Sequence, residues 1–156
     1  MFLHSKIIIF LIIFWSSLIP IESLANQFPK LTNKRIISLN SLGADVVSKL
    51  DNDSLIGIPG SSLLKKNDLF SNKEIVSEGR MPPSLEKIIK LKPNLVIGSA
   101  GFHDKILDKL NKLNIETLKT DTKSINQLEI LISKLANYLN KDPSILQESI
   151  KSCYLN

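Results

Sequence analysis

The chain has 156 residues, 43% hydrophobic and 22% charged, with a formal net charge of +5, which suits one globular domain with a real core. Its lysines are interspersed with Asp and Glu, only Arg35 and Arg80 could offer guanidinium forks, and no aromatic ladder accompanies them. The charge therefore reads as a solvated surface, and nucleic acid is set aside as a partner.

Residues 1–25 read as a secretory signal peptide. Lys6 supplies the positive start, Ile7 to Ile19 the apolar core, Pro20 the break, and Ser23-Leu24-Ala25 the small residues of a cleavage site after Ala25. The apolar run is shorter than the roughly 20 residues a membrane span needs. No cysteine follows it, so lipoprotein processing is not expected, and the mature chain begins at Asn26 in a periplasmic or secreted setting. Cys153 is the single cysteine, which rules out an internal disulfide framework and reads as a small filler on a helix.

Beyond the leader, Arg35 to Leu39 is β-rich and runs into the Asn40-Ser41-Leu42-Gly43 loop. Ala44 to Leu50 predicts a short helix with Ala44, Val47 and Leu50 inward, and Leu55 to Ile58 a second strand stopped by Pro59-Gly60. Residues 61–73 read as a polar loop, and Glu74 to Ser77 as a brief third strand. Ser84, after Pro82-Pro83, is a helix N-cap, with Leu85, Ile88 and Ile89 following at helical spacing. Lys92-Pro93 ends that helix, and Asn94 to Gly98 is a continuous apolar run of the kind found in strands buried on both faces. Asp104 to Leu113 predicts a helix with Ile106, Leu107, Leu110 and Leu113 on one face, and Ile115 to Leu118 the next strand. Ser124 caps a longer helix with the stripe Ile125, Leu128, Leu131, Ile132, Leu135 and Leu139. Asp142-Pro143 opens a last helix holding Ile145, Leu146 and Ile150.

Strands alternating with helices predict an α/β fold, a Rossmann-like parallel sheet with helices on both faces. Ligands of such sheets meet the loops beyond the carboxyl ends of the strands. Here those are Asn40 to Gly43, Pro59 to Ser62, Glu78 to Pro83, Ser99 to His103 and Asp121 to Lys123. Enzymatic motifs are missing: no GxGxxG follows the first strand, and there is no phosphate loop, no GxSxG elbow and no CxxC. His103 is the one histidine after the leader and reads as a surface or capping residue, too little for a closed metal site. Nothing in the spacing of Asp45, Asp121 and Glu86 pairs them as acid and base.

The stretches RIISLNSLGADVVSKL, LIGI, SLEKIIKLKPNLVIGSAG and KLNKLNIETLKTDTKSINQL together resemble the N-terminal lobe of periplasmic substrate-binding proteins for ferric siderophores, haem and cobalamin. These serve ABC importers and have two lobes joined by a long, stiff helix. The likeness covers about residues 34–151, and Ser84 to Gly98 is its most specific part. The resemblance implies that residues 26–141 form the N-terminal lobe and 142–156 the start of the interlobe helix, the C-terminal lobe being missing. It leaves the apolar face at Ile145, Leu146 and Ile150 uncovered.

The same resemblance assigns roles. Glu86 becomes the carboxylate that docks on an arginine of the membrane permease, held out in a helix's first turn where the dipole favours it. Arg80 precedes it by the spacing seen in ferric-hydroxamate binders, and Phe102 follows Ser99-Ala100-Gly101 where those proteins carry tyrosine. Gly79 stands where haem binders place a tyrosine ligand, and no tryptophan stands near Arg80 as it does in cobalamin binders, so a ferric siderophore leads over cobalamin and haem. The expected ligand face is Arg80, Phe102, Asn40, Ser41 and Ser61. The protein it implies is a monomeric, non-catalytic binding component with no cofactor of its own, its partners being a small-molecule metal chelate and an ABC permease. The alternatives are cobalamin or haem binding by the same fold, or a truncated lobe without a transport role.

Overall fold

A strand that is apolar on both sides must be covered on both sides, and that requirement sets the layering of this chain. The computed structural model describes residues 34–78 and 81–155, with no side-chain description for 153–155. The leader expected over residues 1–25, the site residue Arg80 and the side chain of Cys153 lie outside what is described.

The elements run β1 (Ile36–Ser38), α1 (Ser41–Asp51), β2 (Leu55–Gly60), α2 (Ser62–Lys65), β3 (Glu74–Glu78), α3 (Leu85–Lys90), β4 (Leu95–Ser99), α4 (Asp104–Lys112), β5 (Glu116–Thr120), α5 (Ile125–Leu139) and α6 (Ser144–Leu155). The five strands form one parallel sheet in the order β3-β2-β1-β4-β5. Successive residues serve opposite faces. Ile36, Leu55, Leu95 and Ile97 pack with Ala44 and Val47 of α1 and Leu131, Ile132 and Leu135 of α5. Ile37, Leu39, Val76 and Val96 pack on the other side with Ile88 of α3 and Leu107 and Leu110 of α4. Both clusters are almost free of solvent, so the continuous apolar runs read from the sequence are buried on both faces as expected.

Caps end the helices where the sequence marks them. The Ser84 hydroxyl accepts from Lys87 N and the Ser124 hydroxyl from Gln127 N, each at 3.3 Å. Asp142 accepts from Ser144 N at 3.0 Å and from its hydroxyl at 2.8 Å, and these two bonds hold its carboxyl below the usual carboxylate range. Asn140 terminates α5 in the left-handed region at φ +55°, where asparagine is better tolerated than most residues. Arg35, considered above only as a nucleic-acid fork, instead closes the end of α3: its Nη2 donates to Leu91 O at 2.7 Å and its Nε to Lys92 O at 3.3 Å.

Several expectations need correction. Residues 61–73 are not a featureless loop: they hold α2 and a 3-10 turn (Asp68–Phe70), and Leu64 and Phe70 are buried in the core. Each anchor is the second of an adjacent apolar pair, Leu63-Leu64 and Leu69-Phe70, in an otherwise polar stretch that has no period to read. Helix α1 begins at Ser41 rather than Ala44, because Asn40 caps it. Leu113 lies past the end of α4 and is half exposed, and Ile125, in the first turn of α5, is only partly covered. Finally, of the three α6 residues expected to be uncovered, Leu146 and Ile150 are partly buried against the α1/α5 core, and Ile145 is solvent-facing, at 81% exposure.

Two close approaches fix where glycine is required. A Cβ at Gly98 would lie 2.9 Å from His103 Cβ and 3.0 Å from Leu107 Cδ1. Gly98→Ala should therefore destabilise the fold by about 1–3 kcal/mol, the usual cost of overpacking a tight core. Thermal unfolding should show a midpoint lowered by several degrees, whereas an unchanged midpoint would mean that α4 moves aside freely.

Candidate functional site

In this strand order the chain leaves β1 toward one edge of the sheet and returns at β4 toward the other. The loops after β1 and β4 consequently diverge to opposite faces, α1 packing with α5 and α4 with α3. Such a switch point opens a crevice beyond the strand ends. Asn40 follows β1 and Ser99 ends β4, so both border it.

The floor of the crevice is a connected polar cluster. Asn40 Nδ2 donates to Ser99 Oγ at 3.2 Å and to Thr120 Oγ1 at 3.0 Å, while Asn40 Oδ1 accepts from Gly43 N at 2.7 Å. The Ser38 hydroxyl donates to Asn40 O at 2.7 Å, and the Thr120 hydroxyl to Gly98 O at 3.2 Å. One side chain thus ties the ends of β1, β4 and β5 together and caps α1. Gly43 makes this possible, because a Cβ there would sit 2.6 Å from Ser38 Oγ.

The loop after β4 is built around His103. Its ring is buried, at 6% exposure, and its Nδ1 accepts from Ser99 N at 2.9 Å; its own N–H donates to Ser99 O at 2.9 Å. Nδ1 as acceptor defines the neutral imidazole with its proton on Nε2. Gly101 turns the loop at φ +77°, a conformation suited to glycine. Phe102 then projects into solvent at 78% exposure, with its ring meeting the edge of His103 at 4.7 Å between centroids and 84° between planes. His103 is therefore not a surface residue. The one signal that could have found it is its position four residues after Ser99, where a turn brings the ring back under the strand end.

The other expected residues fall around the same edge. Ser41 is exposed in the first turn of α1, and Ser61 is half-buried at the cap position of α2 without a side-chain cap bond. Leu63, in α2 just after β2, and Met81, in the loop after β3, which the sequence did not mark, are exposed at 78% and 69%. Together with Leu42 and Phe102 they give the strand-end rim an apolar character. Glu86 stands apart from this rim in its role: it is exposed in the first turn of α3 and makes no hydrogen bond or ion pair among the described residues. Asp45 pairs with Lys49 and Asp121 with Lys123, each at 2.9 Å on the surface. A groove of about 140 Å³ between β5 and α5 is lined by residues including Thr120, Asp121, Gln127 and Lys134, and by none of the expected ligand residues.

Burial lowers the affinity of His103 for a proton below its ordinary value near 6.5. The unfolded chain then binds the proton more readily than the folded one, so stability falls as pH drops below about 6.5 and continues to fall until the folded imidazole is itself protonated. His103→Asn keeps an acceptor near the Nδ1 position but does not titrate. Urea unfolding from pH 7.5 to 5 should show a shallower loss of stability in the variant. Identical slopes would remove His103 as the cause.

Comparison with known proteins gives this geometry a context. A family model described as periplasmic binding protein matches residues 36–143. No curated protein matches the sequence. Among solved structures, an ABC transporter substrate-binding protein from Listeria monocytogenes EGD-e aligns with a TM-score of 0.64 at 22% identity, over 76% of this chain and 46% of that one. The periplasmic haem-binding protein HutB of Vibrio cholerae aligns at 0.64 and 19%, over 78% and 48%. The periplasmic vitamin B12-binding protein BtuF of Vibrio cholerae aligns at 0.59 and 27%, over 67% and 41%. The first two speak for the fold alone. This chain spans a little under half the length of each, as one lobe of a two-lobed protein would. The family match runs from the first residue of β1 to the residue before α6, so the whole sheet falls inside it: the chain belongs to the periplasmic binding protein family.

Proposed function

We propose that this chain acts as the N-terminal lobe of an exported solute-binding protein that delivers a ferric siderophore or related metal chelate to an ABC permease. Binding and release are its whole action, with no catalysis and no cofactor, and it works as a monomer. The observation that carries this reading is Phe102, an exposed aromatic held at the switch-point crevice of a periplasmic binding protein sheet. An aromatic on a polar, rigid base suits the apolar rim of a chelate whose polar atoms are turned inward on the metal. Arg80 adds a cation for anionic iron-ligating oxygens. Ser41 and Ser61 add hydroxyls after β1 and β2 at the same strand-end edge, and Asn40 follows β1. Haem and vitamin B12, named for the relatives HutB and BtuF, are the other chelates to be tested on the same face.

Glu86 is the permease contact. It is exposed and without a partner among the described residues, on a helix anchored by the buried Ile88. A carboxylate so placed is available for two parallel hydrogen bonds to an arginine.

Binding should be measured with a ferric trihydroxamate, cyanocobalamin and haemin. Arg80→Ala should weaken the preferred chelate by about tenfold or more, the scale of a lost charge-assisted hydrogen bond; unchanged affinity removes Arg80 from the site. Glu86→Gln should leave chelate affinity intact while cutting uptake by about tenfold. Normal uptake in that variant defeats the docking role. Cleavage after Ala25 is tested by the N-terminal residue of the exported protein, expected to be Asn26, whereas a chain that still begins at Met1 defeats it.

A further inference from the structure

Resting on the ligand-face reading above, we propose that Asn40 and His103 are positioning residues, which clamp Ser99 from two sides and so present Phe102 to a ligand that neither of them touches. Three sets of observations lead there.

The first is that both donors of Asn40 are already committed. An asparagine amide has two N–H donors and one carbonyl oxygen. In Asn40 both donors are taken, by Ser99 Oγ and Thr120 Oγ1, and the oxygen holds Gly43 N–H. Its Nδ2 could meet a ligand only by breaking the bonds that join three strand ends, which leaves the second lone pair of Oδ1 as the one site on this amide still open. The second is the grip on Ser99. Asn40 holds its hydroxyl, while His103 holds its N–H through Nδ1 and its carbonyl through the backbone. Ala100 N–H, next in the chain, is held by Thr120 O at 2.9 Å. Every polar group of Ser99 therefore has a partner, and two of the three lead to His103.

The third concerns Phe102 itself. At 78% exposure the ring has little packing of its own, and it meets His103 in an edge-to-face contact. Gly101, at φ +77°, is the residue in this loop best able to change conformation. An exposed aromatic next to a glycine turn would sample many orientations, and ordering it would weaken ligand binding. The clamp removes that disorder beforehand, which is preorganisation. It also lies where the β1 and β4 loops part, the place where ligands of parallel sheets bind.

The test uses the full chain without ligand. Asn40→Ser keeps a good cap for α1 but is too short to reach Ser99 and Thr120. His103→Leu removes the acceptor, and His103→Asn returns one. Amide hydrogen exchange should be about fivefold or more faster at Ser99, Ala100 and His103 in Asn40→Ser and His103→Leu, the scale of one net hydrogen bond. Amides of β2 and β3 should stay as in the parent chain, and His103→Asn should recover slow exchange at Ser99. The Phe102 ring resonances should move toward those of an unconstrained phenylalanine in the first two variants. Unchanged exchange and ring resonances in both overturn the clamp.

Binding of a ferric trihydroxamate or cyanocobalamin then separates positioning from contact. Asn40→Ser should weaken the probe in the parent chain and have no further effect in a Phe102→Ala background. A further loss in that background means that Asn40 touches the ligand, and overturns the proposal. If exchange behaves as expected while neither probe binds the parent chain, the clamp stands and the ligand-face reading fails.

Discussion

Everything distinctive about this chain follows from a parallel sheet that is apolar on both faces. Ile36 and Ile37, adjacent in sequence, are both completely buried because they point into different cores. The same holds for Leu95, Val96 and Ile97. With helices required on each side, the chain cannot wind in one direction throughout. It winds outward from β1 to β3, then crosses to β4 and β5. That reversal parts the β1 and β4 loops, and the proposed ligand face lies where they part.

The polar groups at the strand ends answer a second constraint. Ser38 and Thr120 are buried, and a buried hydroxyl without a partner costs about 1–3 kcal/mol. Both are satisfied by internal bonds, to Asn40 O and Gly98 O, and Thr120 also receives Asn40 Nδ2. The network that satisfies these groups also stiffens the rim. Structural economy and site geometry are the same set of bonds here, which is why Asn40 could look like a ligand residue from its position alone.

Charges contribute differently. Lys119 bridges Asp104 and Asp108 at 3.3 Å, and hydrogen bonds to Asp108 and Asp104 raise its pKa, but all three side chains face solvent. Such pairs contribute little to stability. Arg35 is more consequential because its fork meets the free carbonyls at the end of α3, where a cation also complements the helix dipole. It holds the short helix that carries Glu86 at its other end, so the presentation of that carboxylate depends on an arginine some fifty residues earlier in the chain.

The sequence by itself determined the alternation of strands and helices, the parallel sheet, the caps at Ser84 and Ser124, and which loops gather at one edge. These follow from local rules: apolar period, N-cap chemistry, proline and glycine. It also carried the family resemblance, concentrated in Ser84 to Gly98. It did not reveal Leu64 and Phe70 as core anchors, because each is paired with an exposed leucine, Leu63 or Leu69, and two adjacent apolar residues in a polar stretch have no period that says which one is buried. Nor did it show that Leu146 and Ile150 are partly covered by the neighbouring helices. Above all, it could not distinguish Asn40 as a bolt, or His103 as a buried acceptor, from residues free to meet a ligand. Those roles depend on Asn40, Ser99, His103 and Thr120 meeting across as many as eighty positions of chain. Only the strand order brings them within hydrogen-bonding distance, so only the tertiary structure could decide which polar groups were already engaged.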